Sequence, residues 1–220
     1  MSFHKIKSYA KINLTLNITG KDSLLHKIES IIMFTALHDE IFIKTIKSDN
    51  HDISFFGKFS QGIDIKNTVT KLLNILENKE LLKDKKFRIK INKKIPTKAG
   101  LGGGSMNAAN ILKYLIKKKI VKVSKREISE ICKLIGSDVI LGLKSVNSIL
   151  TSKNKIKYFK NTQKFYILIV KPNFGCNTKK IYSYVNKFNR PKLNKPNKKM
   201  FETEFLIKNN NFLESFAFSK

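Results

Sequence analysis

Lys93-Lys94-Ile95-Pro96-Thr97-Lys98-Ala99-Gly100-Leu101-Gly102-Gly103-Gly104-Ser105-Met106-Asn107-Ala108-Ala109-Asn110 is the stretch on which the reading of this chain turns. Four glycines within five positions let the backbone take positive φ and approach a ligand closely. Upstream, Phe87, Ile89 and Ile91 alternate with Arg88, Lys90 and Asn92, the period of a strand. Downstream, Ile111, Leu112, Leu115 and Ile116 fall on one helical face, and Ser105 is placed to cap that helix. A strand, a glycine bend and a helix start direct several N–H groups at one spot, which suits a phosphate. The bend is not a P-loop, because no lysine precedes Ser105; nor is it a dinucleotide fingerprint, because the sixth position counted from Gly100 is Ser105 and not glycine. A glycine run taken alone is equally compatible with a hinge or a tight turn.

The rest of the chain mixes strands and helices without the regular alternation of a parallel sheet, which predicts an α+β fold. Residues 9–18 alternate, with Ile12, Leu14, Leu16 and Ile18 on one side and Lys11, Asn13, Thr15 and Asn17 on the other. An apolar run at 27–37 and segments 40–46 and 53–56 read as further strands, and 67–82 carries Val69, Leu72, Leu73 and Leu76 at helical spacing. Ser124 and Glu127 form a capping box for a helix with Ile128, Ile131 and Leu134 on its apolar face and Gly136 at its end. Segment 165–170 reads as an apolar strand, 178–188 as a helix, 189–199 as a basic linker, and 200–220 as a weakly helical tail.

Composition sets bounds. The 220 residues suffice for one large domain or two small ones, and 41% hydrophobic content can fill a core. No apolar run is long enough to cross a bilayer and the N-terminus lacks a signal-peptide core, so a cytoplasmic protein is expected. Cys132 and Cys176 lack metal-ligand spacing, and no side-chain metal site is expected. The net charge of +28 invites an anionic partner, yet arginine is confined to Arg88, Arg126 and Arg190. Readers of phosphates and bases favour the arginine fork. The abundance of lysine, asparagine and isoleucine together points to a coding bias, and nucleic acid is an unfavoured partner; its best site would be the basic segment 179–199.

Acidic residues are unevenly placed: Asp138, in Gly136-Ser137-Asp138-Val139, is the only one between Glu130 and Glu202. It has two readings, an N-cap for a short helix or a carboxylate held ionised among lysines and able to take a proton from an attacking hydroxyl.

Three segments together resemble the GHMP kinase superfamily and, within it, the 4-diphosphocytidyl-2-C-methyl-D-erythritol kinases. They are Tyr9-Ala10-Lys11-Ile12-Asn13-Leu14, the bend from Pro96 to Ala109, and Gly136-Ser137-Asp138-Val139, in the family's order and at its approximate spacing. The resemblance implies a domain like ribosomal protein S5 domain 2 over residues 1–150, followed at 151–220 by an incomplete ferredoxin-like domain. It implies ATP and Mg²⁺, and a kinase phosphorylating the 2-hydroxyl of a cytidine diphosphate-linked methylerythritol in non-mevalonate isoprenoid synthesis. Asp138 then matches the catalytic base and Lys11 its cationic companion. Lys98, Ala99, Gly100, Leu101, Gly102, Gly103, Gly104 and Ser105 match the loop around the ATP phosphates, while Asn13 and His26 match substrate-binding positions, His26 at the cytosine.

The chain also departs from the family pattern. Asp22-Ser23-Leu24-Leu25-His26 stands where the family has Asp-Gly-Tyr-His, Lys98 fills a position normally small, Met106 replaces a second serine, and Ile140 replaces a proline. The family's last glycine/serine-rich motif is not found before Lys220. A relative that binds nucleotide without transferring phosphate is the competing reading, and the oligomeric state is open.

Overall fold

The computed structural model describes residues 2–22, 26–171, 178–214 and 216. Its elements are strands β1 (His4–Lys21), β2 (His26–Ile46), β3 (Asp52–Phe56), β4 (Lys86–Asn92), β5 (Ser148–Leu150) and β6 (Ile156–Tyr158). With them come helices α1 (Thr68–Asn78), α2 (Gly103–Lys117), α3 (Lys125–Ile135), α4 (Val139–Gly142), α5 (Thr178–Ser183) and α6 (Thr203–Ile207), and a 3₁₀ turn at Lys198–Phe201. The fold is α+β, as its element order predicts. The apolar runs at 27–37 and 40–46 form one strand, β2, because neither glycine nor proline interrupts the residues between them. The chain divides into two units, each discontinuous in sequence: residues 1–10, 35–97 and 101–145, and residues 11–34, 98–100 and 146–220.

In the first unit β4 runs antiparallel to β2, from Glu40 opposite Asn92 to Ile46 opposite Lys86, and parallel to β3, from Asp52 opposite Arg88 to Phe56 opposite Asn92. This register puts Ile41, Ile43, Phe87, Ile89 and Ile91 in the core, where they meet Val69, Leu72, Leu73 and Leu76 of α1 and Ile111, Leu112 and Leu115 of α2. Asn67 caps α1, its side-chain oxygen accepting from the N–H groups of Val69 (2.9 Å) and Thr70 (3.1 Å). The helix ends at Asn78, short of the Leu82 expected, although Leu82 remains buried.

The capping box of α3 is present: the Glu127 N–H donates to Ser124 Oγ (3.3 Å), and the Ser124 N–H donates to Glu127 Oε2 (2.7 Å). The Ser124 backbone N–H also holds the Glu127 carboxyl below its ordinary pKa. The apolar face is turned from the expected one. Ile131, Cys132 and Ile135 are buried, whereas Leu134 is 53% exposed. Gly136 ends the helix in extended backbone, with φ 170°. Helix α4 then packs on α2 so closely that a Cβ on Gly142 would stand 2.6 Å from the Ala109 Cβ and 3.0 Å from the Met106 sulfur.

In the second unit the first part of β2 pairs antiparallel with β5, Ser30 opposite Leu150 and Ile32 opposite Ser148, and β5 pairs antiparallel with β6. Ile31, Met33 and Ile149 pack with Leu193, Met200 and Phe201. The segment 189–199, expected as a linker, is docked. Glu29 Oε1 accepts from Asn17 Nδ2 (2.9 Å) and the Lys192 N–H (2.7 Å), and Oε2 accepts from the Leu193 N–H (2.9 Å). Segment 165–170 is not a strand: it has no ladder partner among the described residues, and Tyr166, Leu168 and Val170 are exposed. An apolar run becomes a strand only where another strand takes its backbone hydrogen bonds. The helix expected over 178–188 stops at Ser183.

Two stability measurements follow from these contacts. Ser124→Ala should lower the free energy of unfolding by about 1 kcal/mol in urea titration, with an unchanged slope; no loss would mean that the box is not formed in solution. Gly142→Ala should cost about 1–3 kcal/mol, because α2 and α4 must move apart to admit a methyl group; a neutral effect would contradict their close approach.

Candidate active site

The glycine bend leaves β4 and enters α2 through two glycines in left-handed backbone, Gly100 (φ 72°) and Gly102 (φ 68°). A Cβ on Gly100 would meet nothing within 4 Å, so backbone conformation alone calls for glycine there. Gly103 and Gly104 are crowded: added Cβ atoms would stand 3.1 Å from Ile95 Cγ2 and 3.0 Å from Thr68 Oγ1. Thr68 Oγ1 donates to the Gly104 carbonyl (2.7 Å), tying the bend to the start of α1. A cavity of about 430 Å³ is walled by residues that include Asn67 and Thr70 at the start of α1, with Ile63, Ile65, Phe55 and His51.

Ser105 is not the cap of α2. The cap is Gly102, whose carbonyl already accepts from the Met106 N–H (2.9 Å), and Ser105 is the third helical residue. Left-handed backbone at Gly102 lets the helix begin earlier than a serine cap would. With glycine at the cap, no cap side chain bonds the first-turn amides. Leu101 is buried and anchors the bend, while Lys98 is exposed and holds positive φ (54°), a conformation disfavoured for a side chain. Ala99 is half-buried.

The turn carrying Asp138 lies against the same bend. A Cβ on Gly136 would be 3.9 Å from Ser105 Oγ, so the serine hydroxyl faces the Gly136-Ser137-Asp138 turn. Asp138 is half-buried, its carbonyl accepts from the Leu141 N–H (3.1 Å), and its side chain makes no cap hydrogen bond to α4. It therefore occupies the cap position without doing a cap's work through its carboxylate.

In the second unit Lys11 is 5% exposed and its ammonium donates to Asn13 Oδ1 (3.2 Å). The side of β1 carrying Lys11 and Thr15 is covered rather than solvated. His26 has a buried Nε2 without a hydrogen-bond partner among the described residues. Burial, and then the Lys21 charge, lower its pKa, so the ring is neutral near pH 7. Its ring lies 5.2 Å from Tyr182 and 6.4 Å from Phe188. Leu25 lies outside the described residues.

Reasoning from the sequence missed three features. Tyr182 sits in a segment read only as helix, and its place beside His26 depends on how that segment folds back. Thr68 offers no local signal at all. Asp39, fully buried, accepts from the N–H groups of Lys94 (2.8 Å) and Ile95 (2.9 Å), from Asn107 Nδ2 (3.0 Å) and from the Lys93 ammonium. Among the described residues no three His, Cys, Asp or Glu side chains cluster to hold a metal ion, and no helix is long and apolar enough to cross a membrane.

Comparison with known proteins identifies the family and the fold. Residues 67–148 match the family model for the GHMP kinases N terminal domain. The chain is 54% identical over all 220 residues to the 4-diphosphocytidyl-2-C-methyl-D-erythritol kinase of Pelagibacter ubique, of which it covers 78%. It is 34% identical over 182 residues to that of Clostridium botulinum, covering 80% of this chain and 63% of that protein. A crystal structure of a 4-(cytidine 5'-diphospho)-2C-methyl-D-erythritol kinase matches 98% of this chain and 78% of its own with a TM-score of 0.71 at 21% identity, which shows the shared fold. From the bend, the Asp138 turn and these relatives together, the chain belongs to the 4-diphosphocytidyl-2-C-methyl-D-erythritol kinase family.

Proposed function

We propose that this chain transfers the γ-phosphoryl group of ATP to the 2-hydroxyl of 4-diphosphocytidyl-2-C-methyl-D-erythritol. The observation that carries the reading is the uncapped start of α2, reached through left-handed Gly100 and Gly102, with the Asp138 turn packed against Ser105. In phosphoryl transfer the protein's task is positioning and charge stabilisation. Amides of Gly103, Gly104 and Ser105 hold the phosphate oxygens, with Lys98, Ala99, Gly100, Leu101 and Gly102 shaping the bend. The adenine base is assigned to the cavity walled by Asn67 and Thr70, whose volume and mixed apolar and polar walls suit a purine.

Asp138 accepts the proton of the attacking hydroxyl as its oxygen bonds to the γ-phosphorus, and ADP leaves. Lys11 supplies a buried positive charge that stabilises the transferring group, and Asn13 orients the acceptor. His26, neutral and with an unpartnered nitrogen, can donate or accept at the cytosine edge. Tyr182 gives the cytosine an aromatic face where the family's tyrosine is replaced by Leu25. Among the described residues no acidic cluster is built for Mg²⁺, so the Ser105 hydroxyl and the nucleotide's own oxygens would hold it; when bound it would neutralise phosphate charge. Such a reaction belongs to isoprenoid precursor synthesis.

Purified protein should turn over ATP only when the cytidine-linked acceptor is present. Asp138→Asn should lower kcat by about 10²–10⁴ while the ATP dissociation constant stays within about threefold; loss of ATP binding would make the carboxylate structural instead. Tyr182→Ala should raise the acceptor KM by about tenfold, the scale of one base-stacking contact, without moving the KM for ATP. An unchanged acceptor KM would remove Tyr182 from the cytosine.

A further inference from the structure

Beneath the first turn of α2 lies a buried ion pair that the reaction above does not use. Lys93 and Asp39 have side chains 4% and 0% exposed. The carboxylate is saturated: Oδ1 takes the N–H groups of Lys94 and Ile95, and Oδ2 takes Asn107 Nδ2 and the Lys93 ammonium. One carboxylate thus joins the entry of the glycine bend to the first turns of α2. The ammonium is not saturated, for among the described residues Asp39 is its one acceptor. Its nitrogen would stand 3.2 Å from a Cβ on Gly103, directly under the residue that opens the helix. Close by, Asn107 Oδ1 is buried without a partner among the described residues, because its amide must turn its NH₂ group to Asp39.

A cation under a helix N-terminus adds to the positive end of the helix dipole, an arrangement that favours an anion above it. Asp39 offsets the charge while the site is empty and is itself fully engaged. Breaking such a pair strands a buried charge, whereas removing both partners together often costs little. The pair is therefore separable into a folding role and a binding role.

We propose that Lys93 is a positioning residue for the nucleotide: held by Asp39, its ammonium acts through the amides of Gly103 and Gly104 to strengthen their grip on the triphosphate. This rests on the reading of the glycine bend as a phosphate site.

The test compares ATP with adenosine, which carries the base but no phosphate, on Lys93→Met and on the pair Lys93→Met with Asp39→Asn. Lys93→Met should weaken ATP binding at least tenfold, about 1.4 kcal/mol, and leave adenosine binding within twofold. The double variant should regain a melting temperature near that of the unaltered protein, yet keep the weakened ATP binding. Should the single variant fail to fold, the double variant carries the same comparison. ATP binding restored in the double variant, adenosine binding lost in step with ATP, or ATP binding unchanged in both would overturn the proposal while leaving the phosphate site standing. An unaltered protein that binds no ATP would overturn the phosphate site and this inference with it.

Discussion

Helix α2 begins on a glycine in left-handed backbone, and the rest of the site follows from that constraint. Gly102 accepts the first helical hydrogen bond through its carbonyl but has no side chain to return a bond to the amides above it. A helix start left without a cap is stable where something else satisfies its N–H groups, and an anion does so best. The surroundings hold the start in place. Thr68 fastens the Gly104 carbonyl, Asp39 fastens both Ile95 and Asn107, and Gly142 allows α4 to seat against Met106 and Ala109.

Once α2 is fixed, the Asp138 turn is fixed too. Gly136 brings that turn against Ser105, and α4 is too short and too tightly packed on α2 to let it drift. Such support would serve the base proposed here, which must meet an attacking hydroxyl within hydrogen-bond reach of a bound phosphate. In the second unit the Nε2 atom of His26 is buried, without a hydrogen-bond partner among the described residues, beside the rings of Tyr182 and Phe188. Of the four buried side-chain atoms without a hydrogen-bond partner among the described residues, one belongs to His26 and one to Asn107, beside the two places where ligand recognition is proposed.

What could be read from the sequence was whatever is encoded locally. The alternation of Phe87, Ile89 and Ile91, the capping box of Ser124 and Glu127, and the glycine bend all depend on residues within a few positions of one another. The rest depends on the tertiary fold. Ser105 looked like a cap because serine favours that role, but left-handed Gly102 started the helix first. Leu134 looked buried by spacing and is exposed, because the neighbours of α3 select the face centred on Ile131 and Ile135. Segment 189–199 looked like a linker by its prolines and lysines, yet the Glu29 carboxylate, 163 residues from Lys192, binds its amides. Segment 165–170 had a strand's composition without a strand's partner. Of the proposed site residues, the bend was visible as a pattern, and Asp138, Lys11 and His26 through family resemblance. Tyr182 and the Asp39–Lys93 pair needed the fold.

The most direct test of the account follows the backbone amides of the bend by nuclear magnetic resonance while ATP, and separately adenosine, is titrated into isotopically labelled protein. The account predicts that the amides of Gly103, Gly104 and Ser105 shift with ATP and hardly move with adenosine, because phosphate oxygens alone reach them. Equal shifts with both ligands, or no shift of these amides at saturating ATP, would contradict it.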